Sequence, residues 1–306
     1  MPNKQPYNKP ALTIPQQIAQ LRTRGMDIGD IPLAEHYLSQ INYYRLSAYW
    51  LPFESNHGTH AFQAGTSFEQ VLDLYIFDRE LRLLVLDAIE RVEIAIRTQL
   101  AYQLGHRYGT HPHLNAALFK QTNPAKPWVW DHAKSVSQLE KDANDSKETF
   151  IKHLLARYAE PLPPIWAAVE IMTLGQLSKW YDNLQSGADR NLVAHVYDCD
   201  ETNLASFLHH LSTVRNLCAH HSRLWNREFI FTFKLPRQRP PAILSSFNPN
   251  EPRRIHNTLV MLVYLMNQIA PGHHWRQRLI DMLNRHHIDP ARMGFPSDWK
   301  IQAIWR

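Results

Sequence analysis

The chain has 306 residues, 44 % hydrophobic and 20 % charged, which is enough apolar material for a core and excludes wholesale disorder. Ten glycines argue against a turn-rich all-β fold, and two cysteines, Cys199 and Cys218, exclude a disulfide framework and a four-sulfur metal site. The net charge of +5 is uneven: residues 1 to 214 hold 19 Lys and Arg against 23 Asp and Glu, whereas from Arg215 onward 12 Arg and 2 Lys face 5 carboxylates, a net +9. An ordinary basic surface is one reading; the preference for Arg, which grips phosphate in a fork, favours a polyanionic partner.

Met1 to Pro10 is polar and reads as a loose arm, with no apolar run to serve as a secretory leader. Thr13-Ile14-Pro15 is a helix-start signal for a helix through Leu21 that stops at Gly25. Pro32 opens a second helix, which carries the run Ile41-Asn42-Tyr43-Tyr44-Arg45-Leu46-Ser47-Ala48-Tyr49-Trp50. Such aromatics can stack nucleobases, but core packing is their commoner use. Residues 52 to 66 read as a loop. Ser67 to Leu104 is the longest helical pattern, capped at Ser67 and ended by Gly105. Its polar arc holds Asp78, Arg79, Arg82, Glu90, Glu93 and Arg97. These charges either pair on the solvent side, for roughly a few tenths of a kcal/mol each, or face a groove and orient catalytic groups.

Residues 105 to 130 are loop-like, Lys134 to Tyr158 is a charged amphipathic helix, and Pro161, Pro163 and Pro164 break the chain. Ile165 to Leu184 is a helix whose interior Gly175 marks a close contact or a kink. A short helix, Asp189 to Tyr197, runs into an acidic turn at Asp198 to Thr202. A long helix starts near Asn203 and continues through Arg227. Phe229 to Phe233 alternates weakly, and the prolines between 236 and 252 mark a surface-hugging linker. Two last helices cover 255 to 270 and 274 to 287. The most apolar segment, Leu259 to Ala270, is too short to span a bilayer, so a cytoplasmic protein with no membrane association is expected. The pattern is that of an all-α helical bundle with little or no β.

Residues 211 to 227 concentrate the chemistry. At about 100° per residue, Asn216, His220, Arg223 and Arg227 fall within about 60° of one another as a polar ridge. Leu211, Val214, Leu217, Cys218, Leu224 and Trp225 fill the opposite arc, and Arg215 lies beside the ridge. Cleaving a phosphodiester without a metal needs a group that moves protons near neutrality, which suits His220. It also needs fixed positive charge on the phosphorane, which suits Arg215, and Asn216 can orient the imidazole or a phosphate oxygen. On RNA the 2′-hydroxyl is a built-in nucleophile. One imidazole per site is too few for concerted acid and base work, so a two-fold dimer is the economical arrangement.

The Arg-x4-6-His spacing alone is weak, because about four matches arise by chance in a chain of this composition. Arg107 with His113 is one, interrupted by Pro112. A closer copy is Arg190-Asn191-Leu192-Val193-Ala194-His195, which matches Arg215-Asn216-Leu217-Cys218-Ala219-His220 at five of six positions. The earlier copy runs into Asp198, Asp200 and Glu201, which repel a polyanion, so the later one is favoured. No phosphate-binding, dinucleotide-binding, nucleophile-elbow or zinc-protease motif occurs. The adjacent histidine pairs at 209/210, 220/221, 273/274 and 286/287 lack carboxylates at ligand spacing, so neither a metal nor another cofactor is expected.

Lys9-Pro10, Ile41 to Trp50, Tyr75-Ile76-Phe77-Asp78-Arg79-Glu80-Leu81-Arg82, Glu90 to Arg97, Arg215 to Arg227 and Met293 to Trp299, in this order along nearly the whole chain, resemble the bacterial abortive-infection proteins of the AbiD/AbiF type, of the HEPN superfamily. The resemblance implies one domain over residues 1 to 306. Its HEPN-like core would cover about 67 to 235, with an N-terminal helical segment at 11 to 51 and C-terminal helices at 255 to 287 packed on it. It implies a dimeric, metal-independent endoribonuclease of phage defence that leaves a 2′,3′-cyclic phosphate and a 5′-hydroxyl. The catalytic set maps onto Arg215, Asn216 and His220, with His221, Arg223, Asn226 and Arg227 on the RNA and Glu93, Arg97, Asp78 and Arg82 in support. RNA as substrate, a structured non-coding RNA and an antitoxin are the implied partners. The alternative is a catalytically silent RNA-binding or toxin-partner protein of the same fold.

Overall fold

A computed structural model describes residues 6, 8, 10–126 and 129–306. Most of the expected arm Met1 to Pro10, with Lys9 of the Lys9-Pro10 pair, lies outside the described residues, as does Pro127. The chain divides into two compact units, Met1–Glu80 with Asn284–Ile288, and Leu81–Leu283 with Asp289–Arg306.

The first unit begins with α1 (Ile14–Thr23), where Thr13 and Gln16 form a reciprocal capping box. Asp30 caps α2 (Ile31–Gln40). The expected continuous second helix is broken: Ile41 is extended, and Asn42 caps a new helix, α3 (Tyr43–Trp50), by accepting from the Tyr44 amide at 2.8 Å. Asn competes with the helical backbone for hydrogen bonds and so favours caps. The aromatic run chiefly packs, with Tyr49 and Trp50 buried and Tyr44 exposed. Part of the expected loop pairs as a small antiparallel hairpin, β1 (Glu54–Asn56) with β2 (Ala61–Phe62). In the same unit His286 bonds Asp73 at 2.7 Å, and Arg285 pairs with Glu80.

The longest helix, α4 (Phe68–Tyr108), passes from the first unit into the second between Glu80 and Leu81. Gly105 does not end it. A Cβ there would sit 3.6 Å from Ile165, so this glycine lies against a neighbouring segment, and the chain turns instead at Gly109, with φ +87°.

In the second unit the expected helix Lys134 to Tyr158 is two, α5 (His132–Asp145) and α6 (Thr149–Arg157), because Ser146 is extended and its hydroxyl caps the Glu148 amide. The expected helix Ile165 to Leu184 is also two. A short α7 (Ile165–Ala168) tightens into a 3-10 turn, and Thr173 with Gln176 forms a capping box that starts α8 (Leu174–Asp182). Gly175 therefore lies in a first turn, not at a kink. The later helices are α9 (Gly187–His195) and α10 (Glu201–Ala219), the latter capped at Asp200 and packed on α8 and α9. The expected linker contributes Ile243 and Ser246 to the interior through a 3-10 turn. In α11 (His256–Ile269) every residue from His256 to Met266 is buried, which explains its all-round apolar character. The last helix, α12 (Trp275–Arg285), is tied by the Trp275 indole to the Leu84 carbonyl at 2.6 Å.

Among the described residues the fold is all-α with one small hairpin. No helix among the described residues is long and apolar enough to cross a membrane.

Candidate active site

α10 buries Leu204, Phe207, Leu208, Leu211, Val214 and Cys218 along one stripe and presents Arg215 and Asn216 to solvent. The Arg215 guanidinium donates to the Asn216 side-chain oxygen at 3.4 Å. His220 is exposed and forms the C-cap, its amide bonded to the Asn216 carbonyl at 2.9 Å. The three residues expected to act together thus occupy the last turn and end of one helix.

The expected ridge through Arg227 does not form, because the helix ends at Ala219. His221 takes the left-handed conformation, φ +57°. Its amide bonds the Cys218 carbonyl at 3.0 Å, and the Ser222 amide bonds Leu217 at 2.9 Å, which closes a Schellman motif with histidine where glycine is usual. That conformation costs an L-residue about 1–2 kcal/mol. Leu224 and Trp225, both buried, turn the chain back into the core and offset the cost, at roughly 2 kcal/mol for each side chain buried.

Arg223 and Arg227 therefore lie on the returning segment, half-buried, with the Arg227 guanidinium donating to the Arg223 carbonyl at 3.1 Å. Asn226 (φ +50°) accepts from Arg254 at 2.8 Å, and Arg254 also pairs with Glu228 at 3.2 Å. The Asn226 side-chain oxygen thus braces a turn. His221 stays exposed beside His220.

The supporting residues separate into two pairs. Glu93 and Arg97, one turn apart on α4, pair at 2.5 Å, and Arg97 also donates to the Met172 carbonyl at 2.6 Å and faces Glu170 at 3.7 Å. Burial holds the Glu93 carboxyl above the usual carboxylate range; the charge of Arg97, and after it that of Arg215, pulls the other way. Asp78 and Arg82 do not face a groove. Both are buried, and Asp78 accepts from the Tyr49 hydroxyl at 2.6 Å inside the first unit.

Glu170 is the residue that sequence reading missed. The apolar pattern places it inside a continuous helix, whereas it lies in the 3-10 turn after α7, with its carboxylate 3.7 Å from Arg97. The competing copies have other employment. Arg107 pairs with Asp189 at 3.1 Å, and His113 is fully buried. Arg190 donates to the Leu184 carbonyl, and its own carbonyl accepts from Tyr181 at 2.9 Å.

Neither curated proteins nor solved structures gave a match when searched with this sequence. The sequence model of the Abi-like protein family does match, over residues 36–226, a span that takes in both the α4 ion pair and the Arg215–His220 turn. The chain belongs to the Abi-like protein family.

Proposed function

We propose that the protein is a metal-independent endoribonuclease of the HEPN type, acting in abortive infection as a defence against phage. Membership of the Abi-like family supports the role in defence. The observation that carries the chemistry is the arrangement at the end of α10: Arg215, Asn216 and His220 are all exposed there, within six residues of one another, and Arg215 bonds the Asn216 side chain.

Arg215 stabilises the charge that develops on the phosphorane, His220 transfers protons, and Asn216 orients a phosphate oxygen or the imidazole. Glu93 and Arg97 fix the electrostatic environment of Arg215. The 2′-hydroxyl attacks the adjacent phosphorus, the bond to the 5′-oxygen breaks, and the proton lost by the 2′-hydroxyl is balanced by one delivered to the leaving 5′-oxygen. The products are a 2′,3′-cyclic phosphate and a 5′-hydroxyl.

Two proton transfers call for two imidazoles, which a second copy of the chain supplies across a two-fold axis. The surface of α4 supports that arrangement. Ile94 and Tyr102 are exposed, and Thr98 falls between them at four-residue spacing, a stripe next to Glu93 and Arg97. A hollow of about 400 Å³ bordered by Tyr102, His106 and exposed Trp166 continues it.

Incubation of RNA with the intact chain in EDTA tests the reading. Expected are fragments with cyclic phosphate ends, lost in His220→Ala while RNA binding persists. Equal mixing of Arg215→Ala with His220→Ala protomers should give heterodimers whose activity reports the composite site. RNA bound by the wild type without turnover, with or without a divalent ion, would instead identify a binding protein.

A further inference from the structure

Beyond His221 the chain returns antiparallel along α10. The Phe231 carbonyl accepts from His210 at 2.9 Å, the Lys234 amide donates to Ser206 at 2.9 Å, and the Lys234 carbonyl accepts from Asn203 at 2.9 Å. The helix partners thus step back towards its N-terminal end as the segment advances. Past Lys234, Pro236 and Pro240 are buried, while Arg237, Gln238 and Arg239 between them are exposed. The loop is held from below and displays its cations outward.

Those side chains line a groove of about 1040 Å³, walled on the other side by Asn191, Thr202 and Asn203. Of the acidic turn Asp198 to Glu201, the lining contains one carboxylate, Asp200, which already accepts from the Thr202 and Asn203 amides at 2.9 and 3.1 Å; Asp198 and Glu201 are not part of the lining. Among the described residues, no carboxylate lies within ion-pair distance of Lys234, Arg237 or Arg239. Three exposed cations with no ion-pair partner among the described residues, held on a pinned loop and facing the Asn191 and Asn203 side of the groove, outnumber its one carboxylate and form a surface preorganised for phosphates.

We propose that this groove is a second RNA-binding site, distal to the Arg215–His220 turn, which holds the phosphates of the same single strand. It rests on the reading of that turn as an RNA site. The two lie at opposite ends of α10. Asn203 and Asn216 are thirteen helical residues apart, about 20 Å along the axis. The returning segment spans that interval with Arg223 and Arg227 at one end and Lys234, Arg237 and Arg239 at the other. A strand long enough for both sites, on the order of four nucleotides or more, is bound more tightly than one that reaches only the turn. Electrostatic contact with the backbone sets affinity and leaves sequence choice to the cleavage turn.

The test measures fluorescence anisotropy of the full chain with labelled single-stranded RNAs of two and twelve nucleotides in EDTA, with adenosine monophosphate as competitor. The variant is Arg237→Ala with Arg239→Ala, on an exposed loop whose buried prolines are kept. For the twelve-nucleotide RNA the variant should bind roughly twentyfold more weakly at about 0.1 M salt, its salt slope reduced by about 1.4, as expected for two phosphate contacts on a single strand. Affinity for the two-nucleotide RNA and its cleavage rate should stay within about twofold, the spread expected of an unrelated surface substitution. If the wild type binds and cleaves the long RNA and the variant matches it in affinity and salt slope, the groove proposal is wrong while the cleavage reading stands. Weakened binding by the variant, where cleavage does not depend on His220, would keep the groove and overturn the catalytic reading. Adenosine monophosphate bound in the groove as tightly as the long RNA would overturn a strand-binding role, and absence of RNA binding would overturn both.

Discussion

Two segments of the second unit, Arg190–His195 on α9 and Arg215–His220 at the end of α10, share five of six residues, each ends a helix on an exposed histidine, and they differ in where the arginine goes. The Arg190 guanidinium is spent on the Leu184 carbonyl, where it ties a turn to the helix that follows. The Arg215 guanidinium is exposed and bonded to its neighbour Asn216, and its charge opposes the rise that partial burial gives the Glu93 carboxyl on α4. A guanidinium committed to a backbone carbonyl holds the fold together; one that faces solvent can serve the phosphate chemistry proposed for it. The pair shows that a short Arg–His pattern acquires meaning from where its donors go.

That contrast can be broken most forcefully at the arginines. Arg215→Ala should lower RNA cleavage about 10²–10³-fold, the size expected for loss of a charge-stabilising donor, with stability within about 0.5 kcal/mol of wild type. Arg190→Ala should do the reverse. It strands the Leu184 carbonyl and should cost about 1–3 kcal/mol in chemical denaturation, with the cleavage rate of the folded fraction kept. Matching losses of activity from the two substitutions would remove the distinction.

The histidines sharpen it further. His113, His210 and His256 are buried in the second unit, and burial brings each down to about 4. His210 bonds the Phe231 carbonyl at 2.9 Å and the Thr258 hydroxyl at 2.8 Å. Between the usual histidine value near 6.5 and about 4, the unfolded chain takes up protons that the native chain refuses. Their contribution to stability is therefore complete above about pH 6.5 and is lost as pH falls towards 4, at up to about 1.4 kcal/mol per pH unit for each histidine. Thermal melts should give a lower Tm at pH 5 than at pH 7.5, and the drop should shrink in His256→Gln. An equal Tm at both values would contradict the burial of these rings as neutral groups.

The smallest effect is expected at the helix end. His221→Gly relieves the left-handed strain and should raise stability by up to about 1 kcal/mol, partly offset by the greater freedom of glycine in the unfolded chain. A loss of stability would mean that the His221 side chain contributes more to packing than its backbone costs.

Much of this was legible from residue patterns. The helices followed from apolar spacing and caps, and Thr13, Pro32 and the run after Asp200 marked starts within one or two residues. The breaks were harder to read, because Asn42, Ser146 and Thr173 interrupt apolar patterns that otherwise continue in phase. The stop after His220 was hidden for a different reason: its left-handed residue is a histidine, and the pull of Leu224 and Trp225 into the core is a tertiary effect that angular spacing does not contain. The same stop puts Arg223 and Arg227 on the returning segment rather than on the expected ridge, with Arg215 and Asn216 in the last turn and His220 at its cap. Glu170 and the groove at Lys234 to Arg239 depend on contacts between distant segments, which no local pattern encodes.

The most direct measurement is a single-turnover comparison of His220→Ala with His195→Ala on one RNA in EDTA. The account predicts that His220→Ala slows cleavage by about 10²–10⁴-fold, the range for a general acid or base, and that His195→Ala cleaves at the wild-type rate. Wild-type cleavage by His220→Ala, or the loss transferred to His195→Ala, would contradict it.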